Sequence, residues 1–169
     1  FNEGVAAYNT KDYAKALLLF EKAAEQGDAA AQCNCGLIYD LGKGTAVDKA
    51  KALYWYEKAA EQGNAQAQCN CGLMYDIGEG TAVDKKKALY WYEKAAEQGD
   101  AKAQFNCGNM YRKGEGTAVD LVKALYWFEK AAEKGDVDAQ FTCGLMYDSG
   151  KGTAADKKKA LYWYEKAAE

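Results

Sequence analysis

Residues 64–99 read NAQAQCNCGLMYDIGEGTAVDKKKALYWYEKAAEQG, and this stretch decides the fold. It opens on Asn64, directly after Gly63. Glycine tolerates the left-handed conformation that follows a helix end, and an asparagine side chain accepts a hydrogen bond from the free amides of the next helix. The spacing predicts a first helix from about Ala65 to Ile77, with Ala67, Cys71, Met74 and Tyr75 as its apolar stripe. Gly78-Glu79-Gly80-Thr81 breaks it. Asp84 then caps a second helix over about Lys85 to Gln98, with Val83 placed to pack on Ala88 as a hydrophobic staple. Its packed side is expected to hold Ala88, Trp91, Tyr92, Ala95 and Ala96. Gly72 sits inside the first helix at a cost of about 1 kcal/mol against alanine, which points to the close approach of a neighbouring helix.

The same unit recurs in both directions. Trp55, Trp91, Trp127 and Trp163 are each 36 residues apart, as are Gly27, Gly63, Gly99 and Gly135. A fixed period of this length marks stacked repeats. The blocks are 28–63, 64–99, 100–135 and an incomplete 136–169, preceded by 1–27. The first two blocks differ at 6 of 36 positions, a likeness that fits recent duplication and consensus construction alike. The period also explains the composition. The 169 residues contain no proline, as expected of helices joined by glycine turns. They contain no histidine, which excludes Ser-His, Cys-His and His-metal chemistry within the chain, and only one serine, Ser149. A net charge of −3 provides no global field for nucleic acid. Apolar runs such as Ala16 to Phe20 fall far short of the roughly 18 residues that span a bilayer.

Ala-Gln-x-x-Cys-Gly-x-x-Tyr, then Gly-x-Gly-Thr-x-x-Asp, then Lys-Ala-Leu-Tyr-Trp-Tyr-Glu-Lys-Ala-Ala-Glu-Gln-Gly resembles the Sel-1-like repeat family, a relative of the tetratricopeptide repeat with a longer interhelical loop. The likeness covers nearly the whole chain, with cysteine at Cys35, Cys71, Cys107 and Cys143 where the family usually has leucine. Residues 4–27 fit the shorter tetratricopeptide form, through Gly4, Tyr13, Ala16, Phe20 and Ala23. The resemblance implies an all-α fold: a right-handed superhelix, or solenoid, of antiparallel helix pairs in a single domain. It also implies a protein- or peptide-binding adaptor, commonly bacterial. No acid–base constellation is visible in the sequence, so neither enzymatic activity nor a cofactor is expected. The alternative is a scaffold, natural or engineered, that works by self-association. The chain opens part-way into a repeat and ends at Glu169 inside a second helix, so we expect a piece of a longer array whose uncapped ends self-associate.

Comparison among the copies locates a binding face. Second helices barely change, whereas the first helices vary at 30/66/102/138, 33/69/105/141, 37/73/109/145, 40/76/112/148 and 41/77/113/149. These positions share one helical face, and the resemblance puts that face on the concave side. Its expected lining is Cys69, Leu73 and Ile77, then Lys102, Phe105, Asn109, Arg112 and Lys113, then Phe141 and Leu145. Block 100–135 has 6 basic and 5 acidic residues, net +1, while every other segment is net −1. An apolar trough with one cationic spot suits a peptide that carries apolar anchors and an acidic group. Neutral drift on an exposed face is the competing explanation.

Other motifs carry less. Gly42-Lys43-Gly44-Thr45 lacks the Gly-Lys-Ser/Thr order of a phosphate loop, so an interhelical turn is expected. Cys33 and Cys35, like Cys69 and Cys71, diverge by about 200° on a helix and do not chelate one metal; we expect buried or half-buried free thiols and no metal site. Cysteine-rich relatives pair cysteines between the two helices of a repeat, but the second helices here have none. Free thiols fit a reducing compartment, and a removed leader remains compatible with the sequence. Lys85-Lys86-Lys87 and Lys157-Lys158-Lys159 read as solvated faces. Tyr54-Trp55-Tyr56 and its copies fit an inter-repeat core better than a base-stacking platform.

Overall fold

The computed structural model describes residues 1–169 as ten helices and no strand. They are α1 (Asn2–Asn9), α2 (Tyr13–Ala24), α3 (Ala29–Leu41), α4 (Lys49–Glu61), α5 (Ala65–Ile77), α6 (Lys85–Glu97), α7 (Ala101–Lys113), α8 (Leu121–Glu133), α9 (Val137–Ser149) and α10 (Lys157–Ala168). Two compact units divide the chain, Phe1–Asp84 with α1 to α5 and Lys85–Glu169 with α6 to α10. Within each unit consecutive helices pack on one another.

Short-range chemistry sets the boundaries. Asp28, Asn64, Asp100 and Asp136 each accept a hydrogen bond from the amide three residues on, capping α3, α5, α7 and α9. Such a cap contributes about 1 kcal/mol. Just before it, Gly27 donates to the Ala24 carbonyl and Asp28 to the Ala23 carbonyl. This pair of bonds closes α2 with glycine in the left-handed region. Asp48, Asp120 and Asp156 cap the second helices α4, α8 and α10 in the same way. The Asp48 amide also donates to the Tyr39 carbonyl, folding the loop back on the end of α3.

The helices within a pair run antiparallel. The start of α3 meets the end of α4 through Gln62 Nε2 donating to Gln32 Oε1 at 2.7 Å, and the end of α3 meets the start of α4 through Lys49 and Asp40 at 2.6 Å. Between these ties the two backbones approach closely. A Cβ on Gly36 would stand 2.5 Å from the Tyr56 ring, and Gly108 and Gly144 face Phe128 and Tyr164 likewise. At Gly36, Gly108 and Gly144 the close approach expected from a glycine inside the first helix is therefore that of an aromatic ring to the backbone. Gly4 against Phe20 repeats it in the short first pair.

The core consists of these rings, the alanine stripes and the cysteines. Tyr56, Tyr92, Phe20 and Phe128 are buried to within about 1 % of their surface. Two expectations need correction. Leu89 is buried where Trp91 was expected, and Trp91 is only half-buried. Of the Tyr-Trp-Tyr run only the last ring enters the core in α4 and α6; Tyr54 and Tyr90 are exposed, each edge-on to its neighbouring tryptophan. Val83 is exposed, with its Cγ2 lying over the left-handed Gly78 that ends α5.

A buried amide links successive pairs. Gln32 Nε2 donates to the Ala24 carbonyl, Gln104 Nε2 to Ala96 and Gln140 Nε2 to Ala132, each adding a second donor to a helix-end carbonyl that also accepts the amide of the following glycine. The Gln32 oxygen is taken by Gln62, but the Gln104 oxygen is buried without a partner, because Lys134 stands where Gln62 stands in its own repeat. Lys134→Gln is expected to supply that bond. It should add about 1 kcal/mol of stability, read as a thermal midpoint raised by roughly 2–4 °C.

Candidate functional site

The loop joining the helices of a pair carries the first half of the site's geometry. Its second glycine, Gly44, has φ 71°, and a Cβ there would stand 2.6 Å from the Ala14 amide of the preceding pair. Gly116 and Gly152 lie in the same way on the first turns of α6 and α8. The Gly-x-Gly loop is thus a strap across the start of the previous second helix, and its middle residue reaches that helix's first turn.

In the first unit this arrangement builds an ion triad. Lys49, at the start of α4, stands between Asp40 of α3 at 2.6 Å and Glu79 of the next loop at 2.7 Å. All three groups keep substantial exposure, so the triad contributes modestly to stability while fixing the Lys49 ammonium. The two carboxylates raise the Lys49 pKa, through hydrogen bonds first to Asp40 and then to Glu79.

In the second unit the same three positions are Arg112, Leu121 and Lys151. They line a groove of about 590 Å³ between the end of α7, the start of α8 and α9. Leu145 and Met146 form its apolar floor with Leu121. The Arg112 guanidinium donates to Asn109 Oδ1 at 2.8 Å and stands 6.0 Å from the centre of the Phe128 ring. No carboxylate pairs with it. Asp148 also borders the groove, but Lys157 holds it at 2.6 Å. The unpaired charge around the groove is therefore positive.

The structure brings some of the sequence-derived residues together and separates others. Arg112 and Leu145 share the groove, and Asn109 orients Arg112. Phe105 is half-buried, its ring centre 5.6 Å from that of Phe128, and Phe141 is exposed with its ring 5.7 Å from Tyr164. Lys102 and Lys113 are exposed on α7. In the first unit Leu73 and Ile77 are exposed on α5, whereas Cys69 is buried and lies beneath the surface it was expected to line. Leu121, Met146 and Lys151 also line the groove and are not among the sequence-derived residues. Leu121 was legible, since the other copies have Lys49, Lys85 and Lys157 at its position.

All six cysteines are buried free thiols. Burial pushes Cys33 up to about 11 and Cys35 up to about 12, so both stay protonated at neutral pH. Both members of the Cys33/Cys35 pair are in the core, where one had been expected on its stripe. No group of three His, Cys, Asp or Glu side chains is placed to hold a metal ion. No helix is long and apolar enough to cross a membrane. Tyr39 donates to Glu21 at 2.6 Å, and that bond, with burial, raises its hydroxyl to about 12. Tyr111 and Tyr147 make the same bond to Glu93 and Glu129. It is a tie between helices repeated along the chain.

Comparison with known proteins agrees with this architecture. The Sel1 repeat model matches residues 10–28, 29–64, 65–100, 101–136 and 137–169. A Sel1 repeat protein from Oxalobacter formigenes is 40% identical with a TM-score of 0.93, over 98% of this chain and 68% of that one. A protective antigen of uropathogenic Escherichia coli displaying an SLR fold is 36% identical with a TM-score of 0.90, over 92% of this chain. The present chain spans about a third of that antigen, 33% of its length. Cysteine-rich protein B of Helicobacter pylori is 26% identical with a TM-score of 0.56, over 72% of this chain and 87% of that one. A search of the curated proteins finds no match. With repeat units matched from residue 10 to the end and a shared fold at this identity, the chain belongs to the Sel1 repeat family.

Proposed function

We propose that this chain binds a polypeptide on the face formed by its first helices. The family is one of helical-repeat solenoids that commonly serve as protein-interaction modules. The observation that carries the reading is the groove beside α7 and α9. It has an apolar floor, and its guanidinium has no carboxylate partner. Phe141 and Leu145 are exposed on α9, and within the first unit Leu73 and Ile77 are exposed at corresponding repeat positions of α5. Large exposed apolar side chains on one face are the usual mark of an interaction surface. The ties that recur from repeat to repeat, in contrast, lie between helices and hold the fold.

The test is affinity capture with the protein, followed by titration of the identified partner. Phe141→Ala and Leu145→Ala are expected to weaken binding about tenfold each while leaving the helical content unchanged, as truncated interface anchors do. Unaltered affinity in both would remove the face from consideration. A concentration-dependent oligomer without any heterologous partner would favour the self-associating scaffold.

A further inference from the structure

We propose that the groove between α7, α8 and α9 receives a side-chain carboxylate, Asp or Glu, of the bound polypeptide, with an adjoining apolar residue on Leu121, Leu145 and Met146. This rests on the polypeptide-binding reading and specifies its ligand. The argument is a charge inversion at equivalent positions. In the first unit a cation is held between two carboxylates, Lys49 between Asp40 and Glu79. In the second unit the flanking positions are both cations, Arg112 and Lys151, and the central position is the uncharged Leu121. The chain therefore supplies the two flanking charges with inverted sign and leaves out the central partner. The group that completes the set is an anion from outside.

Several details favour a carboxylate attached to an apolar segment over a free ion. The floor is aliphatic, so a bare anion would leave Leu121, Leu145 and Met146 uncovered. The groove volume, about 590 Å³, accommodates a large side chain together with its neighbour. Arg112 is already oriented, by Asn109 on one edge and the Phe128 ring on its face, so little conformational entropy is lost when it binds. A guanidinium with free N–H groups takes a carboxylate in two parallel hydrogen bonds. Asp148 at the rim is neutralised by Lys157 and does not oppose an incoming anion.

The first unit also provides the control, since its triad is compatible with the same fold. The triple variant Arg112→Asp, Leu121→Lys, Lys151→Glu transplants that triad into the groove and fills its centre with the chain's own lysine. Wild type and variant are each panned against a random dodecapeptide library, and enriched peptides are titrated by fluorescence anisotropy. Wild type is expected to enrich peptides with Asp or Glu next to Leu, Ile, Met or Phe. The triple variant should bind them about tenfold to a hundredfold more weakly with unchanged circular dichroism, the scale of a lost charged hydrogen bond. Replacing the peptide acid by its amide should give a similar loss on wild type and little on the variant. The single variants Arg112→Gln and Lys151→Gln carry the same test if the triple variant loses helicity. Enriched peptides without a shared acid, or equal binding to the variant, overturn this inference and leave the polypeptide-binding reading standing. No peptide enriched by wild type overturns both.

Discussion

Phe128→Ala is expected to destabilise the second unit by about 3–5 kcal/mol, the range for truncating a fully buried aromatic. Phe128 has no exposed surface, and its ring lies directly on Gly108 of α7. It also supports Phe105 and the Arg112 guanidinium. A double-mutant cycle tests whether the ring–glycine contact is the cause. In the wild-type background Gly108→Ala puts a Cβ 2.6 Å from the ring, an overpacking that costs about 1–3 kcal/mol. In the Phe128→Ala background that methyl enters the space the ring has left, and the helix preference of alanine over glycine, about 1 kcal/mol, becomes a gain. The sign of Gly108→Ala should therefore reverse between backgrounds in chemical denaturation. Costs that merely add would show that the helices relax around the site and that the glycine has another role.

That contact was partly legible from sequence. A glycine repeated inside each first helix announced a close approach, but not the ring that makes it. Helical periodicity leaves such choices open. On α6 the stripe of Ala88, Tyr92, Ala95 and Ala96 is flanked by Leu89 on one side and Trp91 on the other, each about 80° from its centre. Which flank is buried depends on where the neighbouring helix lies, and Leu89 is the buried one. Helix starts were easier, since Asp or Asn after glycine is a local signal and the α5 limits agree to the residue with the reading from spacing.

The groove was legible only through the variable positions of the first helices. Arg112, Asn109 and Leu145 emerged because they vary at first-helix positions. Leu121 and Lys151 come from a second helix and from the next loop, 9 and 39 residues beyond Arg112 in sequence. The geometry that joins them is the strap of one loop over the previous helix, which no within-helix period encodes. The ion triad at Asp40, Lys49 and Glu79 shows these positions to be one unit, and only then does their inversion at Arg112, Leu121 and Lys151 become apparent.

The strap itself can be tested by comparing two glycines with the same backbone conformation and different surroundings. Gly116 has φ +74 and a Cβ there would stand 2.6 Å from the Lys85 carbonyl carbon and 3.0 Å from the Lys86 amide nitrogen. Gly135 has φ +88 with nothing within 4 Å. Alanine at either position must adopt a left-handed conformation, at about 1–2 kcal/mol. At Gly116 it must also push the loop off the first turn of α6, where the opposing atoms are backbone and do not swing aside; such a clash adds about 1–3 kcal/mol. Gly116→Ala is therefore expected to cost about 2–5 kcal/mol in total, and Gly135→Ala only the conformational part. The difference between the two midpoints in urea measures the strap. Equal losses would mean that the loop is held by its own turn alone, and that the middle residue of Gly-x-Gly reaches the previous helix without being anchored there.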